Sequence, residues 1–165
     1  MRTSYRTLLL VLWVLALGAC ATPRFPTEQI ALDVTPGQAK ADMSRLEGTR
    51  VLWGGTIVNA TNKEDSTRLE ILAYPLDGDQ RPDLEEPPQG RFLALEEGYL
   101  ETASYAPGRE VTVSGRLTGL REGMIGEAAY SYPVVEVVDI QLWKEDRGSA
   151  PGSNFRFGIG VIFGG

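Results

Sequence analysis

The sequence predicts a mainly β domain, a small five-stranded barrel led by one short helix. Three observations predict it. Apolar and polar residues alternate with period two in several segments rich in Val, Ile, Thr, Tyr and Trp. The 19 glycines and 10 prolines in 165 residues punctuate those segments as turns. A Gly54-Gly55 pair interrupts the first of them, and glycine inside a strand marks a bulge or sharp bend, as at the corner of a small barrel.

The elements follow in order. Thr35-Pro36-Gly37-Gln38 resembles a capping box with proline at the first helical position. Ala39, Met43 and Leu46 then recur at helical spacing, and Gly48 can close the helix in a left-handed conformation. Segment 51–60 (VLWGGTIVNA) is the first strand. Segment 67–76 (TRLEILAYPL) alternates Leu69, Ile71 and Ala73 on one face and completes a hairpin across the polar turn 62–66. Segment 77–90 (DGDQRPDLEEPPQG) reads as a long exposed loop. Segment 91–95 is a short strand, and 97–107 a helical turn. Segment 110–120 turns Val111, Val113 and Leu117 one way and Thr112, Ser114 and Arg116 the other. Segment 132–143 (YPVVEVVDIQLW) is the last strand, and Pro133 near its start costs no interior ladder bond. Five strands with a bent first strand fit an OB-like barrel, while a β-sandwich would need more.

The first twenty residues carry a different pattern. Arg2 and Arg6 precede an apolar run of about ten residues at 8–17 (LLLVLWVLAL), the length of a secretory signal core and half of what a membrane-spanning helix needs. Leu17-Gly18-Ala19-Cys20 follows and resembles a bacterial lipobox. That resemblance implies a diacylglyceryl group on the Cys20 thiol, cleavage before Cys20, and acylation of the new amino terminus, palmitate included. Several acyl chains on one residue anchor stably. The residue after the cysteine is Ala21 rather than aspartate, and the implied destination is the outer membrane with the domain facing the periplasm. The expected organisation is a signal peptide at 1–19, a lipidated tether at 20–34, the barrel at 35–145 and a Gly-rich tail at 146–165, whose end reads NFRFGIGVIFGG. The tail is expected to be weakly ordered.

Composition narrows the function classes. The chain has no histidine, which excludes Ser-His-Asp and Cys-His mechanisms and His-ligated metal sites. A lone cysteine makes no internal disulfide and no Cys-rich zinc site. No cofactor is expected. Removing the leader takes two of the 16 basic residues and none of the 22 acidic ones, moving the formal charge from −6 to −8. That balance predicts no nucleic-acid partner and no electrostatic hold on anionic lipid, leaving the lipid to anchor.

The segments LWGGTIV (52–58), LEILAYPL (69–76), GRFLA (90–94), YAPGREVTVSGRLTG (105–119) and IGEAAYSYPVVEVVDIQLW (125–143), taken in order with the lipobox, resemble the Slp family of Gram-negative outer-membrane lipoproteins. The resemblance covers about 25–143. It implies an outer-membrane lipoprotein related to starvation or envelope stress, and it implies no catalytic residues.

Two acidic pairs, Glu85-Glu86 and Glu96-Glu97, fall short of the paired carboxylates of a glycosidase, because Glu85-Glu86 sits in a proline-rich loop and reads as a solvated face. The expectation is a non-enzyme with a structural or adaptor role and an envelope protein partner. The other reading is a binding module for an envelope glycan, with Trp53, Tyr74, Glu127, Tyr130 and Tyr132 as the candidate surface. Those aromatics can equally fill the barrel. Solvent exposure separates the two: aromatics exposed beside Glu127 favour binding, and a sealed barrel favours the adaptor.

Overall fold

The computed structural model describes residues 24–144. The lipobox residues Leu17, Gly18, Ala19 and Cys20, the leader and the tail at 146–165 lie outside the described residues.

Two short helices, α1 (Pro36–Ala41) and α2 (Met43–Leu46), precede five strands: β1 (Arg50–Asn62), β2 (Ser66–Tyr74), β3 (Gly90–Glu97), β4 (Glu110–Ile125) and β5 (Ala128–Leu142). The strands close into a barrel in the order β1-β2-β3-β5-β4. All neighbours are antiparallel except β3 and β5, which run parallel over Leu93–Leu95. The expected OB-like barrel is therefore observed. The alternating apolar residues fill it, with Trp53, Leu69, Ile71, Phe92, Val113 and Val135 in one core.

The capping box forms as expected. The Gln38 N–H donates to Thr35 Oγ1 at 3.2 Å, and the Thr35 N–H donates to Gln38 Oε1 at 2.7 Å. The single expected helix is split, because Asp42 takes a non-helical backbone (φ −138, ψ 44) between α1 and α2. Asp42 pairs with Arg45 at 2.8 Å instead. The segment 97–107 makes one turn at Glu101, whose carbonyl accepts from the Ser104 and Tyr105 N–H groups.

The glycine pair marks a close approach, and the bulge comes later. A Cβ on Gly55 would stand 1.9 Å from the Leu72 carbonyl oxygen. Gly54 and Gly55 pair with β4 on one side and β2 on the other, so the barrel is tightest there. The β1 register shift falls between Ile57 and Asn59.

Three expectations are corrected. The tether does not run free to residue 34. Phe25 is fully buried, its N–H donates to Gln80 Oε1 at 2.8 Å, and its carbonyl accepts from Gln80 Nε2 at 3.0 Å. The Ala31 N–H donates to the Arg50 carbonyl. The 77–90 loop is not wholly exposed, because Gln80 and Pro82 are buried against the barrel. On the polar face of β4, Thr112 and Ser114 are buried and Arg116 is exposed. Thr112 is 0% exposed, its hydroxyl donates to the Gln80 carbonyl at 2.7 Å, and Trp143 Nε1 donates to Thr112 Oγ1 at 3.0 Å. This chain of bonds brings the first and last described turns of backbone to one corner.

The fourth difference is the largest. β4 and β5 run past the expected limits of 120 and 132 and pair down to Ile125↔Ala128, forming an arm that extends beyond the barrel wall.

Candidate functional site

The arm folds over the outer face of β2 and β3. Along β2, burial alternates strictly, so Arg68 and Glu70 share the outer face. The register places Asn59, Glu70 and Leu93 in one row across β1, β2 and β3. Leu93 points away from the core cluster, yet it is only 6% exposed. Tyr132 is the residue that reaches furthest across the row. Its hydroxyl stands 3.2 Å from Glu70 Oε1 and 3.1 Å from the Met124 carbonyl. Gly123 makes room for the ring, since a Cβ there would lie 3.0 Å from it.

Two further contacts fix the arm. Tyr130 packs edge-on against Tyr132 with ring centroids 4.7 Å apart. Its hydroxyl accepts from the Arg91 N–H at 3.0 Å, and Lys40 Nζ of α1 lies 4.1 Å over its ring. Glu70, drawn under the arm, is neutralised by Arg91, with Nη1 2.7 Å from Oε1. Burial, followed by the neighbouring Glu70 carboxylate, pushes the Tyr132 hydroxyl above the usual tyrosine range, which keeps it protonated and able to donate. Between arm and barrel remains a crevice of about 160 Å³, lined by Asn59, Arg68, Glu70, Leu93, Arg121 and Tyr132.

The five residues expected to form one binding surface are divided among separate places. Trp53 lies in the core, 4% exposed, edge-on to Phe92 at 5.1 Å, with Nε1 donating to the Val34 carbonyl at 2.6 Å. Tyr74 ends β2 on the outer face and shares with Trp53 a depression of about 350 Å³ beside Leu32, Leu52 and Gln80. Glu127 is exposed in the turn at the tip of the arm. Tyr130 and Tyr132 are in ring contact, and Trp53 and Tyr74 border one depression. Arg68, Arg91 and Arg121 carry no local mark in the sequence; the strand register brings Arg68 and Arg121 to one crevice and Arg91 onto Glu70.

At the other end of β3 lies a groove of about 420 Å³ flanked by Asp65, Glu96, Glu97 and Glu136. Glu96 Oε2 is buried and has no hydrogen-bond partner among the described residues. Burial raises the Glu96 carboxyl above the usual range, and Asp139 and Glu97 raise it further. Tyr105 is raised by burial and by Glu96. Among the described residues, no group of three acidic, His or Cys side chains is arranged to hold a metal ion.

Comparison with known proteins gives consistent relatives. The chain is 38% identical to an uncharacterized lipoprotein, YeaY, of Escherichia coli K12 over 58% of this chain and 49% of that protein. It is 35% identical to the outer membrane protein Slp of the same organism over 58% of this chain and 50% of that one. An uncharacterized protein of Haemophilus influenzae is 35% identical over 56% and 51%. The chain thus spans about half the length of these curated relatives. Among solved structures, a small single-stranded DNA-binding protein from Streptomyces coelicolor aligns over 58% of this chain and 94% of its own at 18% identity, with a TM-score of 0.38. The outer membrane lipoprotein Slp family matches residues 17–157, and with that span covered the chain belongs to the Slp family.

Proposed function

We propose that this protein is a lipid-anchored domain of the outer membrane that faces the periplasm and serves, without catalysis, as a structural or adaptor element of the envelope under starvation or stress. One observation carries the reading. The outer face of β2 and β3, the face on which OB-like barrels hold oligonucleotides and oligosaccharides, is covered by the chain's own β4–β5 arm through Tyr130 and Tyr132. The barrel interior is filled by its core. A glycan-binding module needs several stacking aromatics on one open surface; here Trp53, which shares a depression with Tyr74, is only 4% exposed, and the tyrosine pair lies apart from both. The acidic balance speaks against a nucleic-acid partner.

The anchor is Cys20. Cys20→Ser is expected to abolish lipidation and leave the chain at its precursor size with the leader uncleaved; a variant still membrane-bound at the mature size overturns the anchor. In-cell crosslinking of the full chain tests the role. Recovery of one defined envelope protein supports the adaptor, and recovery of glycan alone replaces it with the binding module.

A further inference from the structure

The crevice between the arm and the barrel holds an unbalanced pair of cations. Arg68 projects from the outer face of β2, two residues from Glu70. Arg121 is the direct cross-strand neighbour of Tyr132 in the β4–β5 ladder. Cross-strand neighbours share a face, so Arg121 stands on the side of the arm that Tyr132 turns toward the barrel. The two guanidinium groups therefore line one crevice from opposite walls.

Two carboxylates, Glu70 and Glu122, line the same crevice, each with a hydrogen-bond partner of its own. Glu70 is paired with Arg91 at 2.7 Å and approached by the Tyr132 hydroxyl. Glu122 accepts from Ser131 Oγ at 2.7 Å. Neither Arg68 nor Arg121 has a hydrogen bond or ion pair to a described residue. Each guanidinium offers five donors in a planar fork that matches carboxylate and phosphate oxygens. Asn59 adds an amide on the β1 side that gives one N–H to Thr61 Oγ1 at 3.4 Å and keeps a second. Counting Arg91 with its partner Glu70, three guanidinium groups face the carboxylates of Glu70 and Glu122, a surplus of one positive charge in a chain of formal charge −6.

We infer that the crevice is a binding site for a single anionic oxygen group, a carboxylate or a phosphate, held between Arg68 and Arg121. The crevice, of about 160 Å³, has room for one such group together with water. The ligand is a small anion or the charged end of a larger partner, and the site goes beyond the adaptor reading without depending on the anchor.

The test uses the full chain in neutral detergent and reads its thermal midpoint. Phosphate and acetate are added separately, against chloride at matched ionic strength. The expected result is a saturable rise of about 5 °C for phosphate, acetate or both at roughly tenfold excess over Kd. The anion that acts identifies the group as phosphate or carboxylate. Arg68→Gln and Arg121→Gln are each expected to weaken the response about tenfold. Arg121→Lys is expected to retain part of it, and Arg45→Gln, on an exposed side chain of α2, all of it. A wild-type chain that answers all three anions alike overturns the site. So does a full response in both glutamine variants.

Discussion

The two ends of β3 treat a carboxylate in opposite ways. At the Gly90 end, Glu70 sits under the β4–β5 arm with Arg91 at 2.7 Å and a tyrosine hydroxyl beside it. At the Glu97 end, Glu96 has a buried oxygen with no partner among the described residues and faces Asp139 and Glu97, both of its own sign. The first carboxylate is covered, and the second borders an open groove. Covering a charge is tolerable only when a counter-charge and donors go under with it. That is why the arm lies over one end of β3 and not the other.

Removing the cover is the strongest way to break this contrast. Tyr132→Ala empties a site that is 4% exposed and uncovers Leu93, and it is expected to cost about 3 kcal/mol in urea unfolding. Arg91→Gln attacks the compensation itself. It leaves Glu70 beneath the arm without its cation, and it is expected to cost about 1–2 kcal/mol, less than a fully buried pair because both side chains remain about a quarter exposed. Adding Glu70→Gln to that variant should restore part of the loss, which a double-mutant cycle would measure.

The smallest expected effect has the opposite sign. Glu96→Gln removes a carboxylate from like-charged neighbours and should stabilise the protein at pH 7 by a few tenths of a kcal/mol. The sign follows from linkage. The Glu96 carboxyl is raised on folding, so the folded state holds its proton more readily than the unfolded chain does. Its contribution favours the folded state at acidic pH. That contribution is lost as pH climbs from the ordinary glutamate range through the raised value. Wild-type stability should decline across that window, and the Glu96→Gln variant should decline less. Equal pH profiles would remove Glu96 from the comparison.

The barrel was legible in the sequence because alternation is a local signal. Leu69, Ile71, Ala73, Val111 and Val113 each show it within their own strand, and the Thr35–Gln38 capping box shows within four residues. The arm was not legible. The stretch from Arg121 to Ser131 has Met124, Ile125 and Tyr130 as its large apolar or aromatic residues but no period-two alternation, and its two halves pair with each other as strand. Phe25 was hidden for a related reason: a single aromatic between two prolines has no period, and its burial depends on Gln80, 55 residues away. Arg68 and Arg121 carry no motif, and a register produces their meeting. Sequence patterns report faces, while sites of this kind arise from which faces meet.

The clamp of Gln80 on Phe25 sets the protein's reach. With Cys20 as the proposed anchor, only the four residues 21–24 lie between it and a backbone held by two hydrogen bonds, at most about 18 Å of extended chain. On that proposal the domain is on a short leash, riding close to the bilayer without sweeping the space beneath it. Any partner must come to the membrane to meet it. A pull along the leash loads two parallel bonds to one glutamine at the same corner where Trp143 is pinned, rather than peeling a strand from the barrel.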